Sequence, residues 1–199
     1  MLNKNFIAKI ITTFFYIGKI KYCPGTFGSL AAFPLSYIIM YFTIKNQLIL
    51  PFFGLTISEQ QLISIFLVLL IAAFFLFILG TYYSSIYIKY ISQEDPKEIV
   101  IDEVVGQMLV ILLCSFSIVF ANNSKLAGYL NHNVIDFIFL FFMPFILFRF
   151  FDIIKPWPIN WLDQNIKGGI GVMLDDLVAA IFASVIHYAI TFKVIDMVS

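Results

Sequence analysis

The chain has 199 residues, of which 61% are hydrophobic and 12% charged, with twelve basic and twelve acidic side chains and a mean hydropathy of +0.97. Soluble domains run nearer half apolar and a quarter charged, so this composition points to a bilayer, and a net charge of zero argues against nucleic acid as a partner. Cys23 and Cys114 are too few and too far apart for a zinc set or a disulfide framework, and both read as small apolar fillers.

Residues 6–20 read as an amphipathic helix on the membrane surface, with Lys4, Lys9 and Lys19 toward headgroups. Lys19 and Lys21 follow the apolar run at once and no small-residue cleavage site appears, which speaks against a signal peptide. Pro24-Gly25-Thr26 reads as a turn into a first span, residues 29–44, with Ser29 as its N-cap and Pro34 as a kink. Residues 48–57, broken by Pro51 and Gly54, are too short to span and read as an interfacial or re-entrant piece. Further spans are expected at residues 62–80, 104–121, 134–151 and 177–192. Alternating apolar and polar residues, the mark of a membrane barrel, are absent. The expectation is one all-α domain over residues 1–199: a polytopic membrane helical bundle of about five apolar helices plus the N-terminal amphipathic helix.

Alternating the spans gathers nine basic residues on the side of Pro24 (Lys4, Lys9, Lys19, Lys21, Lys89, Lys97, Arg149, Lys155 and Lys167). Lys45, Lys125 and Lys193 remain on the other. Basic residues concentrate in cytoplasmic loops, so the richer side is expected to face the cytoplasm. Of the acids, only Glu59, Asp136 and Asp196 fall on the far side.

The most polar interruption runs from Arg149, the only arginine, to Asp176 (RFFDIIKPWPINWLDQNIKGGIGVMLDD). It reads as a loop between two apolar runs. Asp102-Glu103 and Asp175-Asp176 each stand where an apolar helix is expected to begin, and Asp175 could cap its helix. Acids near hydrocarbon cost roughly 2.5–3.5 kcal/mol on insertion scales, which marks them as functional candidates. Neighbouring helical residues point in different directions, so one acid of the first pair is expected to face the site, with Gly106 leaving room beside it. Asp152 adds a further carboxylate. Like charges gathered at a dry boundary call for a cation, and all-oxygen donors suit Mg²⁺ or Mn²⁺ rather than zinc. His132 and His187 are badly placed for ligation; His187 reads as a satisfied interior residue. Phosphate partners are sought among Arg149, Lys155 and Lys167, and in the backbone N–H groups of the Gly168-Gly169-Ile170-Gly171 run. Trp157 and Trp161 read as interfacial anchors, and Asp163 and Lys167 as solvated charges. No Cys-x5-Arg loop, Asp-x-Asp pair, Walker A motif or Arg/His-rich phosphatase pattern is present.

Four blocks, PGTFGSLAAFPL, DPKEIVIDEVVGQ, FRFFDIIKPWPI and GGIGVMLDDLVAA, together resemble the phosphatidylglycerophosphatase A family of bacterial membrane lipid phosphatases. The resemblance implies Mg²⁺-dependent hydrolysis of phosphatidylglycerophosphate to phosphatidylglycerol and phosphate, in phospholipid synthesis at the bacterial inner membrane, with the site facing the cytoplasm. It implies functional roles for Thr26, Asp102, Glu103, Arg149, Asp152, Lys155, Asp175 and Asp176. The expected metal ligands are drawn from Asp102, Glu103, Asp175 and Asp176. Two other readings stand beside it: a small cation-dependent transporter with a carboxylate-lined pathway, and a non-catalytic lipid-binding subunit.

Overall fold

The computed structural model describes residues 4–52, 54, 56–93, 96–121 and 137–198; side chains at 58, 116–121 and 195–198 are outside the description. Lys125, His132, Asp136 and the side chain of Asp196 therefore lie outside the described residues, as does the expected start of the fourth span. Among those described, seven α-helices form and no strand: α1 (Lys4–Thr12), α2 (Pro24–Lys45), α3 (Ile57–Ile91), α4 (Ile101–Ala121), α5 (Met143–Ile154), α6 (Ile159–Asn165) and α7 (Gly168–Val198). A π-helical turn, Ile138–Phe142, leads into α5. Pro24–Lys45, Glu59–Ile91 and Gly168–Val194 are long and apolar enough to cross a membrane.

Their outward faces are apolar, as lipid requires: Ile71, Phe74, Phe75 and Ile78 on α3 and Ile181, Val185 and Phe192 on α7 are exposed. The interior combines apolar clusters, around Val104, Phe148 and Met173, with small and polar side chains, among them Ser29, Ser36, Ser84, Gln107 and Thr191, as in membrane bundles whose helices pack closely. His187 is fully buried and its Nε2 lies 2.9 Å from the Phe139 carbonyl oxygen, so it is the satisfied interior residue expected.

Several expected boundaries move. The N-terminal helix stops at Thr12, because Phe14, Phe15 and Tyr16 all take positive φ and the chain turns through a 3-10 segment, Ile17–Lys19. Its inner face packs on α3, with Ala8 and Thr12 buried, and Val100 donates its N–H to the Thr12 carbonyl at 2.9 Å. Lys19 does not simply point to headgroups; it pairs with Glu98. Pro24-Gly25-Thr26 is the first turn of α2 rather than a turn before it. Pro24 occupies the position that needs no N–H, Cys23 is the N-cap, and Ser29 sits inside the helix, donating to the Gly25 carbonyl at 3.1 Å. Pro34 lies inside α2 as expected. α3 has 35 residues, roughly 52 Å at 1.5 Å per residue, so it outruns a hydrocarbon core of about 30 Å. Its start is fixed by a capping box between Thr56 and Glu59.

The largest revision concerns residues 149–176. Arg149 and Asp152 belong to the last turns of α5, α6 interrupts the connection, and α7 begins at Gly168, so Asp175 and Asp176 lie well inside a helix. Asp175 is therefore not an N-cap. The glycines that suggested a loop are there for close packing: a Cβ on Gly169 would sit 2.1 Å from the Thr81 carbonyl oxygen, and one on Gly171 1.9 Å from that of Ile166. These contacts put the last turns of α3 against the start of α7. Gly25 meets Glu103, and Gly106 meets Asp176, so α2, α4 and α7 all start at one end of the bundle while α3 and α5 arrive there. The alternation read from the sequence thus holds for the described helices, and one end of the bundle collects the polar residues.

Candidate active site

At that end lies a cavity of about 500 Å³. Four helices place its floor. Asp102 and Glu103 open α4, Asp175 and Asp176 lie two turns into α7, Arg149 and Asp152 close α5, and Gly25 and Thr26 open α2. Both acids of the Asp102-Glu103 pair face it, not one. Each offers a carboxylate oxygen, with one from Asp176, and the three oxygens lie within 4.8 Å of one another. The Glu103 N–H donates to Asp102 Oδ1 at 3.0 Å. Glu103 Oε2 and Asp176 Oδ2 are buried without a hydrogen-bond partner. A divalent cation would satisfy such atoms, and an all-carboxylate donor set suits a hard ion such as Mg²⁺. The residues present therefore fit one.

Asp175 does something else. Its Oδ2 accepts from Lys155 Nζ at 2.7 Å, and the same ammonium donates to Asp163 Oδ1 at 2.8 Å. Lys155 reaches both because it ends α5 in a left-handed conformation, φ 46°. Burial works to lower the Lys155 pKa, but its hydrogen bonds to Asp163 and Asp175 outweigh that and hold it above the usual lysine range. Asp175 Oδ1 is buried and unpartnered. The residue expected as a fourth metal ligand is thus the anchor of the lysine, with one free oxygen lining the cavity.

Arg149 is likewise committed to acids. Its Nη1 lies 2.5 Å from Asp152 Oδ2, one helical turn on, and 3.9 Å from Glu103 Oε1. The same nitrogen lies 3.5 Å from Ser29 Oγ. Asp152 thus orients the arginine, and its carboxyl also reaches that of Asp176. The guanidinium stands where α2 and α4 meet the end of α5. Gly25 makes this possible: a Cβ there would lie 2.0 Å from Glu103 Oε1 and 3.2 Å from Arg149 Nη2. Gly106 does not leave open room; its missing Cβ admits the Phe148 ring, 2.6 Å away, and the Asp176 carbonyl, 3.2 Å away.

Of the residues singled out in the sequence, Thr26, Asp102, Glu103, Arg149, Asp152, Lys155, Gly168, Asp175 and Asp176 line the cavity. Gly169 does not. Its N–H donates to Ser85 Oγ at 3.2 Å, so it packs α7 against α3 and is not aimed at an anion. Cys114 is the buried filler expected, whereas Cys23 is exposed and borders the cavity. Sequence reasoning left Asp163 and Lys167 as solvated charges and missed Gln164 and Lys97, all of which also line it. They sit in turns and on the short α6, where charges ordinarily mean no more than solvent; their nearness in sequence to Lys155 and Asp102 was the available signal. Trp157 and Trp161 are exposed close by.

The chain is 30% identical over 167 residues to phosphatidylglycerophosphatase A of Escherichia coli, covering 84% of this chain and 73% of the relative. It is 30% identical over 178 residues to the protein of that name from Haemophilus influenzae, covering 88% and 83%. A putative phosphatidylinositol-3-phosphatase of Bacteroides thetaiotaomicron is 28% identical over 186 residues, 94% of each chain. No solved structure gives a significant match. The family profile described as phosphatidylglycerophosphatase A matches residues 10–191, and the chain belongs to that family.

Proposed function

We propose that this protein is a Mg²⁺-dependent lipid phosphatase that hydrolyses phosphatidylglycerophosphate to phosphatidylglycerol and inorganic phosphate. It would do so on the cytoplasmic face of the bacterial inner membrane, as a step of phospholipid synthesis. Family membership and the phosphatidylglycerophosphatases among its relatives support the reaction class. The observation that carries the reading is the convergence of Asp102, Glu103 and Asp176 within 4.8 Å, beside Arg149 and Lys155, in one cavity at the polar end of the bundle. The acids gather in one cavity at one end of the bundle rather than along its middle, which disfavours a transport pathway. The excess of basic residues at this end supports the cytoplasmic orientation.

Asp102, Glu103 and Asp176 would hold the cation, which supplies Lewis-acid polarisation of the phosphoryl oxygens when bound. Lys155, kept charged by Asp163 and Asp175, and Arg149, kept in place by Asp152, present positive charge to the same oxygens as negative charge builds on them. Asp175 Oδ1, free of other partners, accepts the proton of the attacking water. The new P–O bond forms as the ester P–O bond breaks, and the departing glycerol oxygen takes up a proton to leave as the alcohol. The alternative chemistry, a carboxylate attacking phosphorus, predicts a phospho-enzyme that rapid quench would trap; water attack predicts none.

The test is phosphate release by purified protein in detergent with phosphatidylglycerophosphate, with Mg²⁺ and with chelator. Release that requires the ion supports the reading. No release by well-folded protein would sink it.

A further inference from the structure

The cavity is larger than the chemistry at its floor needs. At about 500 Å³ it falls in the range of about 300–1,000 Å³ typical of whole small-molecule sites, whereas the three carboxylates converge within 4.8 Å. Burial grades along its wall. Asp175 and Asp176 are buried, Asp152 and Lys155 half-buried, and Lys97 and Lys167 exposed, so the two lysines mark the mouth.

Arg149 is paired with Asp152, and Lys155 is shared by Asp163 and Asp175. Lys97 stands in no ion pair among the described residues. It sits in the short connection between α3 and α4, five residues before Asp102. Lys167 immediately precedes α7, eight residues before Asp175. Each lysine is thus carried by the strand of chain that delivers one of the floor acids, and the two flank one opening. A single phosphate monoester at the floor makes no use of them.

We infer that Lys97 and Lys167 form a second anion subsite, which holds the bridging phosphodiester of a bisphosphorylated lipid headgroup while the terminal phosphate lies at the carboxylates. This rests on the phosphatase reading and deepens it, because it names what selects the headgroup. The floor recognises any phosphate monoester; the mouth recognises a second anion a glycerol's length away. Lipids whose only phosphate is the monoester, such as phosphatidate, lack that handle.

Binding separates this from the phosphatase reading. In detergent with Mg²⁺, the full chain is titrated calorimetrically with 1,5-pentanebisphosphonate, which carries two anionic groups at the headgroup's own separation, and with pentylphosphonate, which carries one. Neither is hydrolysed. The wild type should bind the bisphosphonate about ten-fold more tightly, the effect of one charge-assisted hydrogen-bonded contact near the low end of its range. Lys97→Ala/Lys167→Ala should remove the preference and Lys97→Arg/Lys167→Arg should keep it. With phosphatidylglycerophosphate as substrate, the double alanine variant should raise KM about ten-fold and leave kcat within roughly two-fold. Equal binding of the two probes by the wild type, or a preference that survives the alanine substitutions, overturns the subsite. If the probes behave as expected but no phosphate is released from the lipid, the phosphatase reading falls and the subsite stands.

Discussion

Replacing Asp176 by Asn separates stability from activity, because the cluster that would hold a cation is repulsive without one. Two ionised carboxylates whose oxygens lie within 4.8 Å of one another repel by at least about 3.5 kcal/mol at an effective dielectric of about 20. Asp176 takes part in two such pairs, with Asp102 and with Glu103, so the gross repulsion it brings is at least about 7 kcal/mol. Relaxation and local screening absorb most of this, leaving a net gain of about 1–3 kcal/mol for the metal-free protein when the charge is removed. The replacement amide fits, since it can donate to the Asp152 carboxyl that Asp176 already reaches. The metal-free melting temperature of Asp176→Asn should therefore rise by roughly 2–10 °C. Activity should fall by about 100-fold or more, since even residues behind a metal ligand are commonly worth 10–100-fold. The rise in melting temperature on adding Mg²⁺, worth about 2.7 kcal/mol at a hundred times the dissociation constant, should shrink in the variant. Thermal unfolding in detergent, with Mg²⁺ and with chelator, reads both effects. A variant less stable than wild type without metal and still active would refute the reasoning.

Other perturbations probe other parts of the site. Gly25→Ala should fold, because the atoms its Cβ meets are the ends of Glu103 and Arg149, yet phosphate release should drop at least about ten-fold as those ends are pushed aside. Gly169→Ala meets the backbone of Thr81 and Ser85, which cannot yield, so it should lower stability by about 1–3 kcal/mol in a thermal melt. The raised pKa of Lys155 fixes a sign: its contribution to stability is complete below the ordinary lysine pKa of about 10.4 and is lost as pH rises through the higher folded value. The pH–rate profile should therefore show no loss attributable to Lys155 below about pH 10, and Lys155→Met should remove activity across the whole range. Lys167→Cys should label from the cytoplasm alone in intact cells; labelling from outside would reverse the topology.

What could be read from the sequence was whatever an apolar background makes conspicuous. Asp102-Glu103 and Asp175-Asp176 stand out because acids beside hydrocarbon are costly, and the cavity contains all four. Alternating the apolar spans likewise gave the helix order that brings them together. The division of labour was not legible. Asp175 and Asp176 are adjacent and chemically alike, and only three-dimensional contact assigns one to Lys155 and the other to the carboxylate cluster. Gly168 to Gly171 looked like a loop because glycine is a poor helix former. The role of Gly169, letting α7 touch the backbone of Thr81, depends on a neighbour far away in the chain. Lys97 was passed over, and Lys167 was weighed for phosphate but set aside, for the opposite reason: nothing local distinguishes a lysine at a cavity mouth from one in solvent.

The most direct test of the central claim joins metal binding to chemistry in one titration. Mn²⁺, which shares the oxygen-donor preference of Mg²⁺, is added to the chelator-treated protein, and bound ion by electron paramagnetic resonance and phosphate release from phosphatidylglycerophosphate are followed together. The account predicts that the two rise along one curve in the wild type, and that Glu103→Gln and Asp176→Asn lower both. Hydrolysis at full rate in chelator, or tight ion binding that survives loss of these carboxylates, would contradict it.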